Sequence, residues 1–390
     1  MRIKRFEKGP LQRVHLYPHC RFSMDAGSDE RLAWLGLSMI EGLGSQGFKN
    51  LMDTLGHPAA VFAAGPEVLS GIKGLNPTVV RRIVRRELIS DPEAELQKLE
   101  RLGARIIPFT DPEYPALLSQ ISYPPKLLYA WGKKVPAKRT LVALVGSRHP
   151  THYGIKAAEE MGEGLARRDV GVVSGLAKGI DSASHRGCLK ANGYTIGVLG
   201  TGLDVTYPRG NEKLLNRIVN HGTVISEFPL GTPPEPKNFP IRNRIISGLC
   251  RGVVVVEATR KSGSLITASF ALDQGRDVFA VPGSIHSFKS TGTHHLIKQG
   301  AKLIEHTEDI LEELHLSFKP ELPLFPGAAA VNDLAEPERK ICDLLGDYPL
   351  HIDEIVRRLD LDPGEALSLL MKLELAGEVK QLPGKMFVIN

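Results

Sequence analysis

The feature that most constrains this 390-residue sequence is a succession of short, continuous apolar runs rich in β-branched residues, alternating with amphipathic stretches from Ala104 to about Leu316. The runs are Ile106-Ile107, Leu127 to Trp131, Leu141 to Val145, Val170 to Val173, Thr195 to Leu199, Thr223 to Ser226, Val253 to Val256, Val278 to Val281 and Leu303-Ile304. A strand with one wet face alternates apolar and polar residues, whereas a strand that is apolar throughout must be covered on both faces. Runs of this kind separated by helices predict an α/β fold: a doubly wound, extended Rossmann-like sheet with helices on either side.

The chain is too long for one compact domain, so flanking modules are expected. Residues 1–28 read as a basic arm carrying Arg2, Lys4, Arg5 and Lys8. Residues 29–100 read as a small helical domain, with helices over Arg31 to Glu41, Gln46 to Leu55, Pro58 to Ala64, Pro66 to Leu69 and Pro77 to Leu88, punctuated by Gly and Pro. Residues 101–316 form the α/β domain. The Pro- and Ala-rich stretch 317–335 lacks periodicity and reads as a linker. Within 336–390, three helical patterns (Glu338 to Leu345, Ile352 to Leu359, Pro363 to Ala376) precede two short runs flanking Pro383-Gly384, which predicts a winged helix.

Composition excludes several classes. The four cysteines, Cys20, Cys188, Cys250 and Cys342, are scattered without a C-x-x-C pair, arguing against a zinc ribbon or a disulfide framework. No stretch approaches the roughly 18 apolar residues needed to span a bilayer, and no apolar segment follows the basic N-terminus, so a cytoplasmic chain without membrane insertion is expected. The net charge of +5 permits a polyanionic partner without demanding one. Nucleotide-hydrolase, nucleophile-elbow and zinc-protease motifs are all missing.

In a doubly wound sheet, ligands collect beyond the carboxyl ends of the strands. The loops there are rich in Gly, Ser and cations. Gly146-Ser147-Arg148 offers backbone amides to an anion beside a guanidinium. Ser174-Gly175 leads to Lys178, whose ammonium can meet a phosphate, and to Asp181, placed to cap the next helix. Phe239, Arg242, Asn243 and Arg244 combine charge with a π-face, as a single strand requires; core packing competes for Phe239, and a structural ion pair for one arginine. Lys261-Ser262-Gly263-Ser264 opens a further helix N-terminus, and Pro282-Gly283-Ser284 with Thr291-Gly292-Thr293 forms a rim. His149, His152, His185, His294 and His295 read as surface or packing residues.

Leu144-Val145-Gly146-Ser147-Arg148, Tyr153-Gly154, Ser174 to Asp181, Phe239 to Arg244, Ser262-Gly263-Ser264, Thr267-Ala268 and Val281-Pro282-Gly283 occur in this order. Together they resemble the signatures of the DprA/Smf family of DNA-processing recombination mediators. The likeness covers about Leu141 to Ala301, while the flanks resemble the family's sterile-alpha-motif-like and winged-helix domains more loosely. His294 stands where Asn is usual in that family, and Ser184 where Ala is usual. The resemblance implies a homodimer that grips single-stranded DNA with its Rossmann-like domain and loads RecA onto it in natural transformation. It implies neither catalysis nor a cofactor.

Three other readings compete. A phosphoribohydrolase-like nucleotide enzyme would need an unbroken P-G-G-x-G-T-x-x-E motif, which Pro282-Gly283-Ser284 and Gly292-Thr293-His294-His295-Leu296 interrupt. A dinucleotide-dependent oxidoreductase would need G-x-G-x-x-G after Val145 or at Gly200-Thr201-Gly202, and has it at neither. DNA binding by the winged helix meets a recognition segment, Pro363 to Ala376, with Glu365 and Glu374 against one Lys372, so that module is expected to bind protein.

Overall fold

A computed structural model describes residues 30–316, 336–345 and 349–389. The basic arm read over 1–28 and the linker read over 317–335 lie outside the described residues.

Nine strands form one sheet: β1 (Ala104–Pro108), β2 (Leu127–Gly132), β3 (Leu141–Val145), β4 (Gly171–Ser174), β5 (Thr195–Leu199), β6 (Thr223–Ser226), β7 (Gly252–Val255), β8 (Asp277–Ala280) and β9 (Lys302–Leu303). Their spatial order is β1-β2-β6-β5-β4-β3-β7-β8-β9. From β6 to β9 every pairing is parallel, and β1 and β2 extend the sheet antiparallel beyond β6. Each apolar run read from the sequence overlaps a strand, and β3 is buried at all five positions, as coverage on both faces demands.

The chain winds outward from β3 through β4 and β5 to β6, then returns to lay β7 against the other side of β3. Winding reverses there, so the loops after β3 and β7 diverge and leave a crevice at the carboxyl edge. The helix Asn238–Gly248 lies in the return connection and overlooks that crevice. Two apolar cores fill the faces, one around Val173, Ile196 and Ile245 and the other around Leu144, Met161 and Phe279.

The N-terminal region is helical: Glu30–Ser38, Ser45–Leu55, Pro58–Ala63, Pro66–Ser70 and Pro77–Arg85 match the five helices expected. A sixth, Pro92–Leu102, was not expected, although Asp91 caps it by accepting from the Glu93 amide, Pro92 opens it and Gly103 closes it at φ 68°. Trp34, Phe48 and Leu99 share a continuous core with Tyr129 of β2 and Val224 of β6, so the helices cover the antiparallel end of the sheet. The Glu95 carboxylate accepts a 2.7 Å hydrogen bond from the Leu230 amide across that junction.

At the other end of the chain the helices Glu336–Leu344, Ile352–Leu359 and Pro363–Leu375 pack on strands β10 (Leu350–His351), β11 (Val379–Leu382) and β12 (Met386–Ile389) around Ile341, Ile355, Leu370 and Phe387. The strand order β10-β12-β11 completes a winged helix.

Candidate nucleic-acid interface

A cleft of about 550 Å³ opens at the reversal point between β3 and β7. Its polar wall is built from the loops after those strands, Gly146-Ser147-Arg148 on one side and Thr259 with Ser262-Gly263-Ser264 on the other. A side chain at position 146 would press against Ile180 at 2.7 Å and the Glu257 carbonyl at 2.9 Å, so only glycine lets this loop run so close to its neighbours. The Ser147 amide donates to that Glu257 carbonyl at 2.7 Å, and the Ile180 amide to the Ser147 carbonyl at 3.1 Å, which ties the β3, β4 and β7 loops together. Ser262 and Ser264 share a 2.8 Å hydroxyl contact at the start of the Ser264–Asp273 helix, an N-terminus receptive to anions.

The opposite wall is apolar and comes from the Asn238–Gly248 helix and the loops around it: Phe239, Pro240 and Ile246 with Tyr207, Pro234 and Pro236. Phe239 is half-buried, with one face over Gly200, where an added Cβ would meet the ring at 2.9 Å. The Tyr207 ring lies 5.5 Å from it, tilted by 41°. The Arg148 guanidinium sits 5.4 Å from the Phe239 centroid, within cation–π range. Arg148 is exposed and makes no ion pair among the described residues, so its charge faces the cleft.

Arg242 occupies the floor and is only 4% exposed. Its guanidinium donates to the Gly175 carbonyl at 2.6 Å and to the Val198 carbonyl, joining the ends of β4 and β5. Burial lowers its pKa to about 10, so it stays cationic at neutral pH. Asp181 lies against it, its carboxyl raised above the usual range by burial, which outweighs the pull of Arg242. Asp181 was expected to cap its own helix. It sits instead in the first turn and accepts from the Gly175 and Ala177 amides at 3.1 and 3.3 Å, pinning the β4 loop. Asn243 bridges the two walls, accepting from Arg242 Nε at 3.2 Å and donating to the Gly263 carbonyl at 3.4 Å.

Of the residues singled out in the sequence, Gly146, Ser147, Arg148, Phe239, Arg242, Asn243, Ser262, Gly263 and Ser264 line this cleft. Lys178 and Lys261 are exposed on loops of the same sheet edge, outside the cleft lining. Four of the residues singled out serve the structure instead of presenting a free group. Ser174 is buried and donates to the Leu144 carbonyl at 2.6 Å. Gly175 is walled off by Arg242, whose guanidinium lies 2.5 Å from where its Cβ would be. Arg244 points away from the cleft and pairs with Glu227 at 2.6 Å. Helix geometry explains the last: residues advance by about 100° each, so positions 239, 242, 243 and 246 share a face and 244 falls nearly opposite 242. Arg242 likewise supports the cleft from below rather than offering a free guanidinium.

Tyr207 and the prolines at 234 and 236 also line the cleft, from loops without periodicity that carry no signal in the sequence. The histidines behave as surface or packing groups. His185 is wholly buried with Nδ1 2.7 Å from the Thr195 hydroxyl, and burial drives its pKa down to about 3. The two departures from the family pattern lie outside the cleft: Ser184 donates to the Ile180 carbonyl at 2.9 Å, and His294 Nε2 lies 3.0 Å from the Gly283 carbonyl. Among the described residues no group of three or more His, Cys, Asp or Glu could hold a metal ion, and no helix is long and apolar enough to cross a membrane.

Fold and cleft define a class: a doubly wound α/β protein with a cationic, aromatic crevice at its switch point, joined to a winged helix. The family model for DNA recombination-mediator protein A matches residues 105–315, and the DprA winged helix domain matches 326–385. The chain is 33% identical to Protein Smf of Synechocystis over 92% of its own length and 98% of that protein's. It is 50% identical to the DNA processing protein DprA of Streptococcus pneumoniae over 51% of its own length and 71% of that protein's. The X-ray structure of the pneumococcal protein superposes with a TM-score of 0.64 at 40% identity, covering 74% of this chain and 98% of that one. The chain belongs to the DprA/Smf family of DNA recombination mediators.

Proposed function

We propose that the chain binds single-stranded DNA in the switch-point cleft and, as a cytoplasmic homodimer acting without catalysis, loads RecA onto it during DNA uptake and recombination. The observation that carries the DNA reading is Arg148, exposed and without an ion pair among the described residues, lying over the half-buried ring of Phe239, with Tyr207 beside it. Phosphates meet the guanidinium and the loop amides, while an unstacked base meets the rings. A duplex hides the π-faces of its bases, so this pairing of charge and aromatic surface favours the single strand. RecA loading and dimerisation rest on the family resemblance. The modules are taken as 29–100, 101–316 and 336–390.

Asp181 argues for binding over cleavage. It is a cleft-lining carboxylate, yet it is buried beside Arg242 and engaged by two backbone amides, an arrangement that supports the loop rather than poising an acid or base. Titrating the protein by fluorescence anisotropy against one labelled oligonucleotide, first single-stranded and then annealed to its complement, tests the reading. Clear preference for the single strand is expected. Equal affinity for both forms, or release of free base from nucleoside monophosphates, would overturn it.

A further inference from the structure

The loop from β8 to the helix Thr291–Lys298 displays apolar side chains outside the cleft. Ile285 and Phe288 are 83% and 74% exposed. Their display is fixed by the loop, which is closed on itself and anchored at both ends. The Ser287 and Ser290 amides donate to the carbonyls of Ser284 and Ser287 at 3.0 and 3.1 Å. Tyr153 Oη donates to the Pro282 carbonyl at 3.0 Å, and the Gly292 amide to the Ala258 carbonyl at 2.7 Å. Held in this way, the loop backbone carries both side chains on its outer surface.

The same loop is fastened to the cleft. Lys289, next to Phe288, donates from Nζ to the His149 carbonyl at 2.5 Å, and His149 directly follows Arg148. Residues 282–304 contain no Asp or Glu, and Lys178, Arg260 and Lys261 are exposed on the neighbouring loops. An exposed aromatic ring on a loop without carboxylates, tied next to Arg148 and neighboured by exposed lysines and arginine, has the chemistry of a surface for unstacked bases on a polyanionic backbone.

We propose that Phe288, flanked by Ile285, is a second stacking platform, which receives bases of the single strand where it leaves the cleft while its phosphates pass Arg148 and Lys289. The proposal rests on the reading of the cleft given above. It assigns the patch to DNA rather than to a second protein surface, because the charge around it suits phosphate.

The test compares the parent, Phe288→Ala and Phe239→Ala on two labelled oligothymidylates, one of about 4 nucleotides that fills the cleft and one of about 16 that extends beyond it. Phe288→Ala is expected to weaken the longer strand about tenfold, to leave the shorter one unchanged and to leave the salt dependence unaltered, with Phe288→Trp restoring affinity. If Phe239→Ala weakens both strands and Phe288→Ala weakens neither, the platform is wrong and the cleft stands. If Phe239→Ala affects neither strand, the cleft reading fails and the platform falls with it. A lower sedimentation mass for Phe288→Ala would assign the patch to a protein interface and overturn the proposal.

Discussion

Replacing Arg242 by Leu separates a supporting cation from a contacting one. Arg242 is buried, and its guanidinium donates to the carbonyls of Gly175 and Val198 beside the Asp181 carboxylate. Removing it leaves two buried acceptors without donors, at about 1–3 kcal/mol each, and strips a buried carboxylate of its cation, a change typically worth about 3–5 kcal/mol. The terms overlap, and a net loss of about 4 kcal/mol is expected. At about 2–4 °C per kcal/mol for a domain of this size, the melting midpoint should fall by about 8–16 °C. Thermal unfolding followed by circular dichroism reads the stability, and anisotropy at several salt concentrations reads the binding. Affinity should drop because the cleft floor is disordered, while the salt slope of the folded protein stays unchanged. A variant as stable as the parent with a slope flattened by about 0.7 would refute the reasoning, since that result requires Arg242 to contact phosphate directly.

Phe239→Ala should lower single-strand affinity by about 1–3 kcal/mol, and Tyr207→Ala by less, neither changing the salt slope, as anisotropy titrations would show. Burial holds the His185 pKa near 3, below its unfolded value, so the stability it confers is present above about pH 6.5 and lost as pH falls toward 3. Between pH 6.5 and 5 the parent should therefore lose about 2 kcal/mol more than His185→Leu, measured by urea unfolding at the two pH values. Deleting residues 336–390 should leave most single-strand affinity intact, because the outer face of the Pro363–Leu375 helix presents exposed Leu367, Met371 and Leu375, and Lys372 is paired with buried Glu338. A large loss on deletion would move the DNA site to the winged helix.

The sheet was legible because strand burial on both faces leaves a direct mark, a short apolar and β-branched core, at each strand from Leu141 to Val281. The loops were legible because close backbone approach leaves glycine, as at Gly146. Residue type and loop position alone do not give side-chain direction. Phe239, Arg242 and Arg244 look equivalent in the string, yet the helical period sends Arg244 to Glu227 and the fold buries Arg242 under the ring that it supports. That period was available in the sequence and would have separated the two arginines. Tyr207, Pro234 and Pro236 reach the cleft from loops with no periodicity, and only the packed structure brings them to Phe239. The helix Pro92–Leu102 carried its signals openly in Asp91, Pro92 and Gly103.

The central claim is that Arg148 offers its charge to the phosphates of a single strand. Its most direct test is the salt dependence of single-strand affinity for the parent and for Arg148→Ala, side by side. Arg148 is exposed and unpaired among the described residues, so the variant should fold as the parent does, bind more weakly at low salt and show a logarithmic slope smaller by about 0.7 for each cleft engaged. An unchanged slope and affinity would contradict the account and place the DNA elsewhere on the molecule.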